Sequence, residues 1–278
     1  MTPDEYCQEK ASASGSSFYY SFLFLPAERR RAITAVYAYC REVDDVVDEV
    51  IDPAAAEATL GWWRHEIDEL FNRHPTHPVT RALEPFISAD FGISHERLTA
   101  ILNGMALDLR QNRMLDFPAL QRYAHLVAGV VGEISATIFG YRDPATLQYA
   151  ARLGLALQLI NVIRDVGDDA RRGRIYLPID EMQRCDVKVS DVLAARYVDG
   201  FVPLMRFQAE RARAVYREAL SLLPTVDRRS QRAGLIMGAI YSTLLTEIER
   251  DNFQVLHQRI ALTPLRKLWV AWRTWVSG

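Results

Sequence analysis

The chain is predicted to fold as an all-α protein, and three observations predict it. Apolar residues recur with a helical rhythm between the prolines, segments that alternate Val or Ile with polar residues are scarce, and no Gly/Ser-rich linker or internal repeat interrupts the pattern. Of the 278 residues, 49% are apolar and 24% are charged, which leaves ample material for a core. We expect a single helical domain that spans residues 1–278.

Prolines and the helical rhythm together place the expected helices. In chain order these are about 28–50, 54–71, 79–91, 94–113, 119–139, 144–169, 196–222 and 227–258, and the fifth of them runs through Tyr123. Pro26 precedes the first helix and Pro53 ends it, because the proline ring removes an N–H donor and is tolerated only near helix ends. Pro85 is placed to kink the third helix. Later segments start or break at Pro118, Pro178, Pro203, Pro224 and Pro264.

Charge and cysteine usage exclude several classes of protein. The formal net charge is −2 and the pI about 6.3, so no overall basic field exists to hold nucleic acid. Cys7, Cys40 and Cys185 are scattered and odd in number, which is typical of a reducing compartment. The N-terminus is polar, and no apolar run reaches the roughly 18 residues of a membrane span. We expect a cytoplasmic protein that is neither secreted nor membrane-spanning.

Two acidic clusters stand out, and the first lies in the helix expected at 28–50. One stripe of that helix carries Tyr37, Arg41, Asp44 and Asp48, with Asp45 at its edge. The neighbouring valines supply packing surfaces. We therefore expect this acidic stripe to run along a largely buried helix rather than along a solvated face.

The second cluster repeats this arrangement in the helix expected at 144–169. One stripe there carries Gln158, Asn161, Asp165 and Asp169, with Asp168 beside it. Like charges four residues apart destabilise a helix by about 0.2–0.5 kcal/mol per pair. Acidic residues in a last turn also oppose the helix macrodipole by about 0.3–1 kcal/mol. Because the sequence accepts this penalty twice, in equivalent places, a bound cation is the simplest compensation.

Oxygen-only ligands select Mg²⁺, which binds through carboxylates, water and substrate phosphate oxygens. One acidic pair alone is more often a solvated helix face, but the doubled occurrence favours a metal site. Basic residues lie close to both clusters: Arg41 near the first, and Arg164, Arg171, Arg172 and Arg174 near the second. Arginine can bind phosphate oxygens bidentately. The two clusters therefore predict a Mg²⁺ and diphosphate site between two facing helices.

The residues around both clusters resemble the squalene/phytoene synthase family. The matching stretches are Y-A-Y-C-R-E-V-D-D-V-V-D at 37–48, Q-L-I-N-V-I-R-D-V-G-D-D at 158–169, S-G-S-S-F-Y-Y-S-F at 14–22, Y-A-H-L-V-A-G-V-V-G at 123–132 and G-R-I-Y-L-P at 173–178. Their order and spacing agree over nearly the whole chain. The resemblance implies an isoprenoid synthase helical bundle with a central cavity, in which two prenyl diphosphates condense head to head (1′-1).

The resemblance also implies roles for single residues. It assigns metal binding to Asp44, Asp48, Asp165 and Asp169, with Asn161 nearby, and diphosphate contacts to Ser17, Arg41 and Arg174. Tyr123 would lie near the reacting carbons and stabilise a carbocation or direct proton loss; the alternative is that Tyr123 is only a hydrogen-bonded core residue.

Gly129 and Gly132 suggest that the backbone approaches a ligand there. Tyr176 and Tyr241 are further candidates for substrate contact, and apolar walls are expected from Phe22, Ile134, Ile138, Leu155 and Leu159.

Within the family, the opening M-T-P-D-E-Y-C-Q-E-K and the stretch C-R-E-V-D-D-V-V-D-E are similar to bacterial presqualene diphosphate synthases of the hopanoid-associated squalene route. The reaction so implied joins two farnesyl diphosphates into presqualene diphosphate and releases diphosphate. NADPH is not expected, since no reduction follows and no G-x-G fingerprint occurs. Two alternatives stay open: a phytoene synthase acting on geranylgeranyl diphosphate, and a squalene or hydroxysqualene synthase.

Three other classes of protein fit the sequence less well. A carboxylate-bridged di-metal bundle needs E-x-x-H motifs, and no Glu of this chain is followed by His at the third position. An EF-hand fails because its oxygen and glycine positions do not align with the second cluster. A non-catalytic isoprenoid-binding bundle needs an apolar cavity but no doubled metal site. Mg²⁺-dependent diphosphate release distinguishes it from an enzyme.

The segment 264–278 combines tryptophans with basic residues, namely Trp269, Trp272 and Trp275 with Arg266, Lys267 and Arg273. This composition suits a helix at a membrane interface, and it suits equally a terminal helix packed on the core. Both interpretations stay open. Peripheral contact with the inner face of the cytoplasmic membrane, and contact with downstream squalene-pathway enzymes, are hypotheses.

Overall fold

The computed structural model describes residues 1–13, 21–22, 25–50, 52–88 and 90–277. Within these ranges the chain is helical, and the one strand-like feature is an isolated bridge between Arg113 and Ile175. The prediction of an all-α fold is confirmed. The helices are α1 (Pro3–Ala13), α2 (Ala27–Glu49), α3 (Pro53–Phe71), α4 (Pro78–Leu83), α5 (His95–Arg110), α6 (Phe117–Ala124), α7 (Val130–Phe139), α8 (Ala145–Arg164), α9 (Val166–Arg171), α10 (Ile179–Arg184), α11 (Val189–Leu193), α12 (Phe201–Leu222), α13 (Arg232–Arg250) and α14 (Pro264–Ser277).

Helices α2, α3 and α5 begin and end within three residues of their predicted bounds, whereas α12 and α13 each begin five residues later than predicted. Three shorter helices were missed. Helix α1 buries only Cys7 and Ala11, so its apolar residues are too few to show a period. Helices α10 and α11 have six and five residues, which is too short for any periodic pattern. Helix α5 ends at Arg110 rather than 113.

The prediction that Pro85 kinks a helix over 79–91 is wrong. Helix α4 ends at Leu83, a 3₁₀ turn follows at Glu84–Phe86, and no helix continues beyond it in the described residues up to 91. Proline offers no N–H to the helical ladder, and here the chain leaves the helix instead of bending. Helix α13 likewise ends at Arg250, because Asn252 and Phe253 adopt positive φ angles of 52° and 57°.

The helix predicted over 144–169 is broken at Asp165 into α8 and α9. Gly167 lies against the carbonyl oxygens of Val255 and Leu256, and its N–H donates to the Val255 carbonyl at 3.2 Å. The Asp165 N–H still donates to the Asn161 carbonyl, and the Asp169 N–H donates to the Asp165 carbonyl, both at 2.8 Å. The helical spacing of the acidic stripe therefore survives the break.

Two clusters of buried apolar side chains form the core. One gathers residues of α2, α3 and α5, such as Val36, Ile67 and Ile101, and the other gathers residues of α8, α12 and α13, such as Leu157 and Ile240. Helix α7 contributes residues to both clusters. The bundle is thus a single domain with two cores and a central helix between them.

Helix α8 approaches both α7 and the turn at His125–Gly129 that precedes α7 so closely that the backbones touch. A Cβ atom at Gly132 would overlap the carbonyl oxygen of Ala150, and one at Gly154 would overlap the carbonyl oxygen of Ala128. At Gly129 a Cβ would meet the ring of His125 at 2.7 Å. Gly132 is therefore required for helix packing, and it also lines the large cavity of the bundle. The expectation that a ligand approaches the backbone at 129 and 132 stays a prediction.

Helix α14 packs on the bundle with one face, through Val270, Ala271 and Trp275, and leaves the opposite face exposed. The segment 264–278 is therefore a helix with a packed side, which agrees with one of its two interpretations. Among the residues that the structure describes, no helix has both the length and the apolarity needed to cross a bilayer.

Replacing Gly154 by alanine tests the close approach of α8 to the backbone at Ala128 and Gly129. We expect Gly154→Ala to lower the free energy of unfolding by about 1–3 kcal/mol, because the new methyl group overpacks the interface. Gly61→Ala is the matched control, since Gly61 is an exposed residue of α3 and a methyl group added there would meet no atom within 4 Å. We expect the control to stabilise the protein by about 0.5–1 kcal/mol in urea unfolding. Equal effects of both substitutions would contradict the backbone contact.

Candidate active site

A cavity of about 580 Å³ lies between the two cores, within the usual range of about 300–1,000 Å³ for small-molecule sites. Its apolar wall includes Phe22, Ile33, Met105, Phe139, Leu157 and Met237. Its polar end carries Arg41, Asp44, Asp48, Asn161, Asp165, Asp169 and Arg174. One cavity therefore joins an apolar chamber to a cluster of acidic and basic groups.

The predicted apolar walls are only partly right. Phe22 lines the cavity, but Ile134, Ile138, Leu155 and Leu159 are buried in the two cores instead. One face of α8 carries both the apolar wall and the start of the acidic stripe. Its residues that line the cavity include Leu153, Gly154, Leu157, Gln158 and Asn161. Residues 155 and 159 lie on other faces of this helix, because the helical period turns them away.

The first acidic cluster is organised by Arg41 on α2. Its guanidinium donates to Asp44 Oδ2 at 2.6 Å and to Asp45 Oδ1 at 2.5 Å. Lys10 of α1 also pairs with Asp45, at 2.9 Å. Asp44 lines the cavity whereas Asp45 does not. The edge position predicted for Asp45 thus corresponds to a residue that fixes Arg41 rather than one that faces the chamber.

Asp48 joins the first cluster to the second. Arg174 donates to Asp48 Oδ1 at 2.6 Å and to the Val47 carbonyl at 2.7 Å, and Arg172 donates to Asp48 Oδ2 at 2.9 Å. Both arginines follow the second acidic cluster in sequence. Because they reach back to α2, the two clusters lie at the same end of the cavity, as their helical registers predicted.

The second cluster carries its own arginines. Asp165 accepts hydrogen bonds from Arg164 and from Arg259, the latter at 2.9 Å. Asp168 pairs with Arg171. Arg259 lies in the loop between α13 and α14, far from both clusters in sequence, and sequence reasoning missed it. Lys267 of α14 also lines this end of the cavity.

Burial leaves some of these carboxyl groups short of counter-charge. Burial first, and then the neighbouring Asp48, raise the pKa of Asp44 to about 6 although Arg41 opposes the rise. Burial and the nearby Asp165 raise the pKa of Asp169 to about 8. Asp165 differs: burial acts against its ionised form, yet Arg164 and Arg259 hold its pKa below the usual value. The site therefore favours an added positive charge.

The donors at the polar end fit a hard cation. The Oδ1 atom of Asn161 is buried and lacks a hydrogen-bond partner in the described part of the chain, and the carboxylates of Asp44, Asp48, Asp165 and Asp169 line the same cavity. In the described ranges no three His, Cys, Asp or Glu side chains stand in ready metal-binding geometry. The set is all oxygen, which is the chemistry that Mg²⁺ prefers.

Tyr123 and Tyr176 share one buried carboxylate. The Tyr123 hydroxyl donates to Asp108 Oδ2 at 2.7 Å, and the Tyr176 hydroxyl donates to Asp108 Oδ1 at 2.8 Å. The two rings stack with centroids 5.3 Å apart. All three residues line the cavity. Tyr123 is thus both a hydrogen-bonded core residue and a cavity residue, so the two interpretations of it are compatible.

Sequence reasoning missed Asp108, although a signal was present. Ile101, Met105 and Asp108 share one stripe of α5 and all line the cavity. An acidic residue on an otherwise apolar stripe is unusual, since buried charges require partners. Burial raises the pKa of Asp108 to about 6 despite the two tyrosine hydrogen bonds.

A π-helical turn at His125–Gly129 interrupts the helix predicted from after Pro118 to 139, two residues after Tyr123. Such turns insert an extra residue into the helical ladder and often occur at functional sites. Val127 and Ala128 within the turn line the cavity.

Tyr241 and Ser17 are the two remaining predicted site residues. Tyr241 of α13 lines the cavity beside Arg164, with which it interacts. Ser17, predicted to contact diphosphate, lies outside the described residues.

An all-α bundle in which two acidic helices and several arginines close one end of an apolar cavity defines the isoprenoid synthase fold. The chain belongs to the squalene/phytoene synthase family of prenyltransferase-type enzymes, whose sequence pattern matches residues 11–266. The family resemblance read from the sequence is therefore confirmed.

Three similar proteins each match at least 90% of this chain. A phytoene synthase of Arthrospira platensis is 32% identical, over 95% of this chain and 89% of its own. A crystal structure of a dehydrosqualene synthase with a ligand has 26% identity and a TM-score of 0.88, covering 99% of this chain and 96% of that one. The squalene synthase HpnC of Alicyclobacillus acidocaldarius has 27% identity and a TM-score of 0.81, covering 90% and 94%.

Replacing Asp108 by asparagine tests the buried carboxylate. Because the folded state binds the Asp108 proton more tightly than the unfolded chain does, wild-type stability falls as pH rises from the unfolded pKa toward about 6. The unfolding free energy of Asp108→Asn lacks this dependence on pH, because asparagine does not titrate. We expect its loss of unfolding free energy to be larger at about pH 4.5 than at about pH 7, by about 2 kcal/mol. Urea unfolding at both pH values measures the difference, and an equal loss at both contradicts the raised pKa.

Proposed function

We propose that this enzyme joins two farnesyl diphosphates head to head into presqualene diphosphate, in a Mg²⁺-dependent reaction without reduction. The observation that carries the proposal is the single cavity in which an apolar chamber meets two facing acidic clusters and their arginines. A prenyl diphosphate has the same division into an apolar chain and a charged head.

The polar end supplies the groups that hold a diphosphate. Asp44, Asp48, Asp165 and Asp169, with the Asn161 amide oxygen, would hold Mg²⁺, which supplies positive charge to the diphosphate when bound. Arg41, Arg174 and Arg259 donate hydrogen bonds to Asp44, Asp48 and Asp165, respectively. The same guanidinium groups can bind phosphate oxygens bidentately and stabilise the charge that develops as diphosphate leaves.

The apolar chamber supplies affinity and protects a cation. Burying a farnesyl chain at about 0.8 kcal/mol per carbon contributes on the order of 10 kcal/mol before the costs of binding. Walls such as Phe139, Leu153 and Ile101 offer no nucleophile. An allylic cation formed there is shielded from water, which would otherwise trap it.

The reaction breaks one bond to diphosphate and forms new carbon–carbon bonds. The C1–O bond of one substrate breaks, and its electron pair leaves with diphosphate. The double bond of the second substrate attacks the resulting cation. Transfer of a proton to the released diphosphate then closes the cyclopropane, while the second diphosphate stays attached. Tyr123 lies in the chamber with its hydroxyl fixed by Asp108, whose negative charge would stabilise a nearby carbocation.

A second candidate is the condensation of two geranylgeranyl diphosphates. It is favoured by the Arthrospira platensis relative, which is named a phytoene synthase. The two candidates share the polar end and differ in the length of the chain that the chamber accepts. A squalene or hydroxysqualene synthase would share the substrate with the first candidate and differ in the final product.

Product analysis separates these candidates. Purified protein is incubated with Mg²⁺ and either farnesyl or geranylgeranyl diphosphate, with and without NADPH, and the products are identified by mass spectrometry. We expect presqualene diphosphate from farnesyl diphosphate, unchanged by NADPH. A C40 product from geranylgeranyl diphosphate would favour the second candidate. Formation of squalene or hydroxysqualene would show that the reaction continues beyond presqualene diphosphate. Binding without diphosphate release would indicate a non-catalytic bundle.

Neutralising one carboxylate in each cluster tests the proposed metal site. We expect Asp44→Asn and Asp165→Asn each to lower the rate of Mg²⁺-dependent diphosphate release at least about 100-fold, since each removes a charged group at the reacting centre. Glu49→Gln is the matched control, because Glu49 is exposed on the same helix as Asp44 and does not line the cavity. Circular dichroism checks that both aspartate variants are folded. Wild-type turnover in either folded variant would contradict the proposed metal site.

A further inference from the structure

Exposed apolar side chains cover one face of α14. Among the large apolar residues exposed in the described ranges, this helix carries Leu265, Leu268, Trp269, Trp272 and Val276. At helical spacing they fall within an arc of about 100°. Trp269 and Trp272 stack with ring centroids 5.2 Å apart and are each 52% exposed. We name this surface the outer face of α14.

The opposite face fixes the orientation of the helix. Ala271 is fully buried, and Val270 and Trp275 pack against the core. The Arg232 guanidinium lies 4.9 Å from the centre of the Trp275 ring. Because these contacts hold the inner face, α14 cannot rotate to bury its outer face, and that surface remains available to a partner.

The charge around the outer face has one sign. Residues 252–278 contain no Asp or Glu. Of their four basic residues, Arg259 and Lys267 line the cavity, which leaves Arg266 and Arg273 beside the outer face. Arg266 and Arg273 are exposed and, seven residues apart, lie together along one edge of the outer face. A basic edge beside tryptophan and leucine is the arrangement of helices that lie in a membrane interface.

We propose that the outer face of α14 docks on an anionic lipid bilayer. The helix lies in the plane of the surface, its apolar side chains enter the boundary between headgroups and acyl chains, and Arg266 and Arg273 meet the lipid phosphates. A second copy of this chain is a poorer partner, because its outer face offers Arg266 and Arg273 no negative charge. Leu262, two residues before α14, and Lys267 in its first turn both line the cavity. Docking of α14 therefore holds the cavity beside the membrane.

Vesicle sedimentation tests the docking without any substrate, so its outcome is independent of the proposed reaction. We expect the protein to sediment with vesicles of equal parts phosphatidylcholine and phosphatidylglycerol, and less with phosphatidylcholine alone or in high salt. The pair Trp269→Ala and Trp272→Ala should weaken binding at least about tenfold. The pair Arg266→Gln and Arg273→Gln should weaken it about 30-fold on anionic vesicles, since each basic residue contributes about fivefold.

Matched controls come from other exposed sites. Trp62→Ala removes an exposed tryptophan of α3, and the pair Arg184→Gln and Arg250→Gln removes the same charge from the surfaces of α10 and α13. We expect both controls to sediment like the wild type. The proposal is overturned if the wild type stays in the supernatant, or if either α14 pair binds as well as the wild type. It is also overturned if gel filtration shows that the tryptophan pair holds a dimer together while no vesicles are bound.

Discussion

The ion pair between Arg174 and Asp48 is the contact on which the arrangement of the site depends. Two clusters of carboxylates repel each other, and bringing them to one end of a cavity requires positive charge between them. Arg174 provides it from the segment after the second cluster, through Asp48 and the Val47 carbonyl. Arg172 adds a second bond to Asp48. The chain thus brings its own counter-ions into a site that the proposed reaction would fill with Mg²⁺ and diphosphate.

The glycine contacts between α7 and α8 allow the cavity to keep its shape. Gly132 and Gly154 let two central helices touch backbone to backbone, and the same stripe of α8 then runs from the apolar wall into the acidic cluster. A single rigid helix therefore links the chamber that would hold the prenyl chain to the groups that would hold its diphosphate. A small change in the packing of α8 would move both ends together, which couples stability to the geometry of the site.

The cavity combines two electrostatic environments that the proposed chemistry needs. At the polar end, burial and like charges raise the pKa values of Asp44 and Asp169, so these groups favour a bound cation. In the chamber, Asp108 carries a negative charge beside two tyrosine hydroxyls and otherwise apolar walls. One end thus accepts the charge of a leaving diphosphate, and the other offers negative charge to a cation. The squalene/phytoene synthase family membership is consistent with this division.

The sequence by itself determined the helical class, the register of both acidic stripes and the family, because each depends on spacing within one helix or on motifs of consecutive residues. It also placed Tyr123, Tyr176 and Tyr241 among the cavity residues. Only the tertiary structure decided which side chains complete the site. Asp108 and Arg259 lie 57 residues before and 94 residues after Asp165, and no local pattern joins groups so far apart. The break at Asp165 and the exposed face of α14 were likewise settled by packing, since each depends on what lies against the helix.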